Sequence, residues 1–445
     1  MSKEAFVAAA EAMYEELSVW RGQHPQASFD EIAEQVTPQR QRLMGQLLAA
    51  LAEQSGQGEY LAERSCPECG SVLHYKGLKP RAVGHAEGSA QIERGYHHCD
   101  QCGHGFFPLD QTLRLGQHHW SPATLAKAIQ LGTEVASYRR AAQLFVDFTH
   151  LPLSKSSLHH LVGSYGQQVA AHLEAEATAM VQVPRQEEEV TWREVPDPDS
   201  PLMNVSIDGV MVHLLGEGWK ETKIAAISAV EPAVDPETGE LEVRLTQHSY
   251  RAGLWEAPVF AHHLWAESCR RGLDKAQHLM SVNDGAAWIW AVVFLCFARC
   301  TQILDWWHAV QRLWTIANLA FPADVTAART WVEAQKRLLA HSQLRHVIHN
   351  VRLLFPRTHL LPEPVRKAVA YYFHNRQRMY YRHFRAAGCP IGSGTVESAC
   401  KLVVQQRMKQ PGMRWRRSNA QAMLALRSAL FSDRWHLLHD ALASS

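Results

Sequence analysis

Apolar residues recur at helical spacing at the start of this chain. In residues 1 to about 55, Phe6, Ala9, Ala10, Met13 and Leu17 form one stripe, and Leu43, Leu47, Leu48 and Leu51 form another. A cysteine-rich stretch breaks the pattern from about 64 to 110, and helical spacing returns from about 121 to 180. Residues 183–200 lack periodicity, are acidic and contain proline, so they read as a linker. Beyond 201 the pattern changes to strands. Residues 202–215, 223–230 and 241–247 are short runs rich in β-formers, the last two alternating. A helix is expected over 256–276, and short strands over 278–282 and 301–304. From about 309 to 385 the spacing is helical throughout. Gly388-Cys-Pro-Ile-Gly-Ser-Gly394 then leads into a last helical region. No repeat or low-complexity tract is present.

The 445 residues, 46% hydrophobic and 20% charged, suffice for two to four globular domains. The longest apolar run, 286–298, is too short to cross a bilayer and reads as a buried helix, so no membrane partner is expected. The N-terminal Met-Ser-Lys-Glu-Ala-Phe has no apolar segment after it, which argues against a secretory signal. Of nine cysteines, four form two Cys-x-x-Cys pairs, while Cys269, Cys296, Cys300, Cys389 and Cys400 are scattered. An odd count with metal-type pairing points to a reducing compartment.

A net charge of +1 says nothing about partners, but its distribution does. From 345 to 417 there are 15 Lys or Arg and two acids, Glu363 and Glu397. Glu187, Glu188, Glu189, Asp197 and Asp199 crowd the linker instead. The basic stretch is either a surface for a polyanion or a solvated helical face.

Cys66-Pro-Glu-Cys69 and Cys99-Asp-Gln-Cys102 each place two thiolates on a tight turn, and two such turns make a tetrahedral sulfur site for structural Zn²⁺. Gly70 and Gly103 directly follow the pairs, as the turn requires. The intervening 70–98 has room for a β-hairpin. Such a site leaves no open position for catalysis. The metal would contribute roughly 10 kcal/mol or more to folding a module with little core of its own. This gives an N-terminal helical region over 1–60 and a zinc ribbon-like module over 61–112.

Residues 137–150, the turn Leu151-Pro-Leu-Ser154 and residues 155–165 are similar to a helix-turn-helix within a region spanning 113–182. Ala141, Leu144, Phe145 and Phe148 form one apolar face, and Leu158, Leu161, Val162 and Tyr165 the other, with Ser154 as N-cap. Lys155, Ser156, His159 and His160 would then face a DNA major groove. The competing reading is an ordinary helical hairpin.

Three acids stand in distinctive settings. Asp208 ends the run Met203-Asn-Val-Ser-Ile207, and Val210-Met-Val continues the strand beyond it. An acid within a strand needs compensation, which a metal supplies, although Asp-Gly is also a turn signal. Asp284 follows a second strand, where a helix N-cap is the competing role. Glu397 stands in the first turn of a helix behind the glycine-rich loop, a favourable place for any acid. Carboxylates brought together from distant positions can hold two divalent ions for phosphoryl transfer.

Lys401, Gln405 and Lys409 follow Glu397 at four-residue steps and would share its face beside a phosphate backbone, with Val396, Ala399, Cys400 and Val403 on the buried side. Arg414-Trp415-Arg416-Arg417 joins charge to a ring that either stacks on an unpaired base or packs inside. Asp305-Trp-Trp-His308 ends another strand. It either adds a carboxylate and imidazole near the metals or forms a buried pair that orients the strand end.

Together, Ser206-Ile-Asp208-Gly-Val, Val282-Asn-Asp284-Gly, Ile303-Leu-Asp305-Trp-Trp-His308-Ala, Gly392-Ser-Gly-Thr-Val-Glu397-Ser and Met413-Arg-Trp415 resemble bacterial insertion-sequence transposases of the DDE class, in particular the ISKra family, related to Mutator-like transposases. The resemblance covers about 200 to 435. It implies a multidomain α+β chain in which the N-terminal helices, zinc module and helix-turn-helix precede an RNase H-like α/β core. That core would occupy 201–308 and, with basic C-terminal helices, 389–445, interrupted by an all-helical insertion over 309–388. It also implies Asp208, Asp284 and Glu397 as ligands of two Mg²⁺ or Mn²⁺ ions, and an x-x-His motif matched by Asp305 and His308. Asp305 competes with Asp284 as second ligand, and Asp284 is preferred. The implied activity is cleavage of the element's ends and joining of their 3′-OH to target DNA. The implied partners are double-stranded DNA and further copies of the chain, in a bacterial cytoplasm at the nucleoid. Two other readings are a zinc-dependent DNA-binding regulator without catalysis and an RNase H-like nuclease that does not join strands.

Overall fold

In a computed structural model, residues 2–54, 56–57, 65–181, 196–234, 241–355 and 361–443 are described. The acidic run Glu187-Glu188-Glu189 and most of the expected linker lie outside them. The chain divides into two compact units, Met1–Tyr165 with His436–Ser445, and Gly166–Trp435. It is mixed α+β, with two sheets among the described residues. Among the described residues no helix is long and apolar enough to cross a membrane.

The first unit opens with α1 (Lys3–Gln23), capped by Ser2, and α2 (Phe29–Glu53), which begins with a reciprocal Ser28–Glu31 capping box. The first expected stripe is only half-buried, and in the second Leu48 and Leu51 are exposed. Helix α2 meets β2 partly through glycine: a Cβ on Gly45 would lie 2.9 Å from the Ser89 carbonyl carbon. Strands β1 (His74–His85), β2 (Gly88–His98) and β3 (Gly105–Phe106) form an antiparallel sheet in that order. After the short α3 (Pro108–Thr112) come α4 (Pro122–Glu134), α5 (Tyr138–Thr149) and the start of α6 (Lys155–Val181), whose residues from Gly166 on count with the second unit.

In the second unit, β4 (Leu202–Leu214), β5 (Gly218–Val234), β6 (Leu241–Gly253), β7 (His278–Asn283) and β8 (Thr301–Leu304) make a five-stranded sheet of order β6-β5-β4-β7-β8. Strands β4, β5 and β6 pair antiparallel, whereas β4, β7 and β8 pair parallel. Strand β6 runs past the expected end at Gln247. That residue has φ +49° beside a register shift, and the irregularity disguises the alternation.

Helices α7 (Ala257–Arg270) and α8 (Ala287–Cys296) cover one face over Met203, Val205, Ile207, Ile227, Phe260 and Ile289. Helix α8 is not buried all round as expected, because Phe294 and Leu295 are exposed. Helices α9 (Trp306–Ala320), α10 (Val325–Ala340), α11 (Leu344–Leu354), α12 (Glu363–Asn375) and α13 (Tyr381–Ala386) share a separate core around Leu313, Val332, Val351 and Tyr372. The chain then forms α14 (Gly394–Ala399), a π-helix over Cys400–Gln405, α15 (Gln406–Met408) and α16 (Arg417–Leu430). Helix α17 (His436–Ala443) packs against α4 in the first unit.

Candidate functional site

Cys66 and Cys99 head two turns built alike. Gly70 N donates to Cys66 O at 2.9 Å and Cys66 N to Ser71 O at 2.7 Å; Gly103 N donates to Cys99 O at 2.8 Å and Cys99 N to His104 O at 2.9 Å. Both glycines stand at φ +75°, which a side chain would strain. The β1–β2 hairpin fills the gap between the pairs, as its length allows. Cys66 Sγ lies 3.6 Å from Cys102 Sγ and Cys69 Sγ 3.5 Å from Cys99 Sγ. All four sulfurs fall within 4.8 Å of one another. Sulfurs held about 2.3 Å from one tetrahedral ion would be about 3.8 Å apart, while a disulfide would need about 2.05 Å. The four thiols are therefore close enough to hold a metal such as zinc.

On β4, Met203, Val205 and Ile207 enter the core beneath α7 and α8, so alternation sends Asn204, Ser206 and Asp208 to the opposite face. The parallel ladders pair Val205 with Ser281 and Asn283 with Leu304. Continued in the same registers, they align Asp208, Asp284 and Asp305 in one row at the carboxyl ends of β7 and β8. Asn283 secures the row: its Oδ1 accepts from Ile207 N at 2.7 Å and its Nδ2 donates to Ser281 Oγ at 2.8 Å. Asp305 N donates to Asn283 O at 2.8 Å.

The three aspartates are held differently. Asp208 Oδ1 accepts from Gly209 N at 2.7 Å and Oδ2 from the Cys400 thiol at 3.4 Å. Burial pushes its carboxyl above the ordinary range, and the nearby Asp284 charge adds to the shift. Asp284 Oδ1 accepts from Ala286 N at 2.9 Å, and its carbonyl accepts from Tyr371 Oη at 2.5 Å. It closes the turn before α8, whose N-cap is Ala286, so the capping role does not hold. Asp305 is fully buried and caps α9. Its Oδ1 accepts from His308 N at 2.7 Å and His308 Nδ1 at 2.8 Å, and its Oδ2 from Ser393 N at 2.6 Å. Burial alone would raise this carboxyl, but those hydrogen bonds outweigh it and hold it low. The same bond to Asp305 raises the His308 pKa, and the charges of Asp284 and Glu397 add to it.

Glu397 is exposed in the first turn of α14, where Ser393 Oγ donates to its Oε1 at 3.4 Å. Burial keeps Cys400 a thiol, reinforced by the Asp208 and Glu397 charges. The acids do not reach the spacing of the sulfurs: among the described residues, the four thiols are the group whose ligand atoms lie within 4.8 Å of one another.

Beyond Glu397 the helix departs from the expected α-geometry. Arg427, buried on α16, donates Nε to Val403 O at 2.8 Å and Nη2 to Leu402 O, taking carbonyls from the helical ladder. The widened π turn over Cys400–Gln405 shifts the four-residue register. Lys401 and Lys409 are exposed, while Gln405 is half-buried. Trp415 does not offer its ring to a base, because it is 5% exposed. Its Nε1 donates to Met408 O at 3.2 Å, its amide to His213 O at 3.0 Å, and Arg407 lies over its ring. Arg414 and Arg416 are exposed, and Arg417 forks onto Glu217.

In the first unit, α5 and α6 flank the expected turn. His150 ends α5 at φ +56°, and Ser154 Oγ accepts from Ser157 N at 3.0 Å as the cap. Lys155, Ser156, His159 and His160 are exposed, with His159 edge-on to Tyr138. Leu158, Leu161, Val162 and Tyr165 are buried as expected, but Phe148 is 74% exposed and leaves the other face. Helix α6 continues for 27 residues, far past the expected second helix.

Asn283, Tyr371, Ser393 and Cys400 are positioning residues that the sequence reading did not single out for the site. Asn283 and Ser393 had a signal, since each adjoins a quoted motif residue or lies within the glycine-rich loop. Tyr371 had none. No family model matches this chain, and no curated protein does so either.

Proposed function

We propose that the chain is a DDE transposase of the insertion-sequence type, with an RNase H-like core in its second unit. What carries this reading is that Asp208 on β4 and the aspartates directly after β7 and β8, Asp284 and Asp305, fall in line when the parallel registers are continued, with the helix that follows Glu397 tied to Asp208 through the Cys400 contact. The strand order, three antiparallel strands followed by two parallel ones, supports the fold expected from the resemblance.

The donor set fits Mg²⁺ or Mn²⁺, which prefer carboxylate oxygens. Asp208 is also partly buried, and a cation would offset the burial that disfavours its charge. Asp208, Asp284 and Glu397 would be the ligands. Asp305 would not, because its oxygens are already engaged by three donors and it is closed to solvent. Its role is to clamp the loop carrying Glu397 to the end of β8. When bound, two such ions supply Lewis-acid activation of the attacking water or 3′-OH and stabilise the leaving oxygen. His308, whose pKa is raised by its bond to Asp305, stands near the acids, and its protonated form would offer positive charge to a phosphodiester bound there.

The four thiols would hold a structural Zn²⁺. The exposed Lys155, Ser156, His159 and His160 would contact the element's ends, and Lys401, Lys409, Arg414 and Arg416 would contact phosphates. Labelled element ends incubated with protein and Mg²⁺ test the reading. Cleavage followed by joining supports it, cleavage without joining favours the nuclease, and binding alone favours the regulator.

A further inference from the structure

The helical region between α11 and α13 contains a cavity that the site above does not use. It measures 800 Å³ and is lined on one side by Arg345, His349 and Arg352 and on the other by Phe373, Arg376 and Tyr380. No acid is among its lining residues. Arg345, His349 and Arg352 follow one another at i, i+4 and i+7 on α11 and share a face. At 1.5 Å per residue they span about 10 Å, enough to meet successive phosphates of one strand.

The opposite wall adds rings to charge. Phe373 and Tyr380 are 46% and 48% exposed. Arg376 Nη1 donates to Phe373 O at 2.9 Å, which holds a cation against the end of the helix that carries that ring. Cations in line on one wall and open aromatic faces on the other are what unpaired nucleotides require. The charges track the backbone while the rings stack on bases without reading their sequence. A protein partner of acidic character would not call for two exposed rings.

We infer that this cavity is a subsite for single-stranded nucleic acid, with Arg345, His349, Arg352 and Arg376 on the phosphates and Phe373 and Tyr380 on the bases. The inference rests on the reading that DNA is the substrate and names a place where unpaired strand would be held.

The test measures binding of a short labelled oligothymidylate, and of a duplex of equal length, by the full chain across a salt series. Replacing Arg345, Arg352 and Arg376 together by Gln should weaken oligothymidylate binding and lower its salt slope by about 2, at about 0.7 per lost contact. Phe373→Ala with Tyr380→Ala should weaken it roughly tenfold with the salt slope unchanged. All five positions are exposed, so equal thermal unfolding midpoints serve as the folding control. The inference is overturned if wild type ignores oligothymidylate, if neither variant changes its binding, or if the ring variant is inert while the arginine variant weakens strand and duplex alike. Cleavage of duplex ends by a protein that ignores oligothymidylate would reject the subsite and leave the proposed activity standing. Oligothymidylate binding that depends on the cavity, without cleavage, would do the reverse.

Discussion

The Cys400 thiol donates to Asp208 Oδ2 across 3.4 Å and so ties the helix of Glu397 to the strand of Asp208. It orients one carboxylate oxygen without adding charge, because burial keeps the sulfur protonated. Cys400→Ala should therefore lower Mg²⁺-dependent cleavage by about 10- to 100-fold, the usual cost of losing a partner behind a metal ligand. Cys400→Ser, which keeps a donor, should recover most of it. Cleavage rates of the two variants at saturating Mg²⁺ check this.

Asp305 and Asp284 should separate stability from activity. Asp305→Ala leaves the His308 ring and the Ser393 amide without their acceptor, and should cost about 3–5 kcal/mol, as for other broken buried charge pairs. Asp284 is half-buried at the end of a strand, so Asp284→Ala should change stability by only about 1 kcal/mol or less while abolishing cleavage. Urea unfolding and cleavage assays on both variants provide the comparison.

The same pair sets a pH dependence. The His308 pKa is raised in the fold, so its contribution is complete below the unfolded value of about 6.5 and is lost as pH rises through the folded value. The Asp305 pKa is lowered, so its contribution is complete above about 3.9 and is lost as pH falls through the folded value. The pair should stabilise most between those limits. Asp305→Asn should flatten the decline above pH 6.5 and lower the His308 pKa from its value in the wild type, which histidine NMR would follow.

The four-thiol cluster should hold one metal ion per chain. Cys66→Ser or Cys99→Ser should lower zinc content and unfold the hairpin module, at a cost of roughly 10 kcal/mol of binding free energy. The second unit should retain its fold. Elemental analysis and proteolysis of the module report the two effects.

Trp415 should act through packing. Trp415→Ala should destabilise the second unit by about 3–5 kcal/mol, as for other buried aromatic truncations. Any loss of DNA binding should follow unfolding rather than precede it.

Much of this arrangement was legible because local pattern and local chemistry agree. The strands before Asp284 and Asp305 are short apolar runs ending at an acid, and the Cys-x-x-Cys-Gly turns need nothing beyond themselves. What could not be read depends on contacts across the chain. Arg427 widens the helix at Leu402 and Val403 from a distance of some two dozen positions, so four-residue spacing misplaced Gln405. Trp415 is buried because its backbone joins His213 and Leu215 at the end of β4, which no local pattern announces. The proposed preference for Asp284 over Asp305 rests on which carboxylate is already engaged, and Ser393, which engages Asp305, lies 88 residues from it.

The most direct test of the central claim incubates the full chain with labelled element ends, target DNA and Mg²⁺, and scores both cleavage and strand transfer. Wild type should do both. Asp208→Ala, Asp284→Ala and Glu397→Ala should each lose at least about 100-fold, beyond the usual cost of an outer partner, while still binding the ends. A wild type that neither cuts nor joins, or a triad variant that transfers strands at the wild-type rate, would contradict the account.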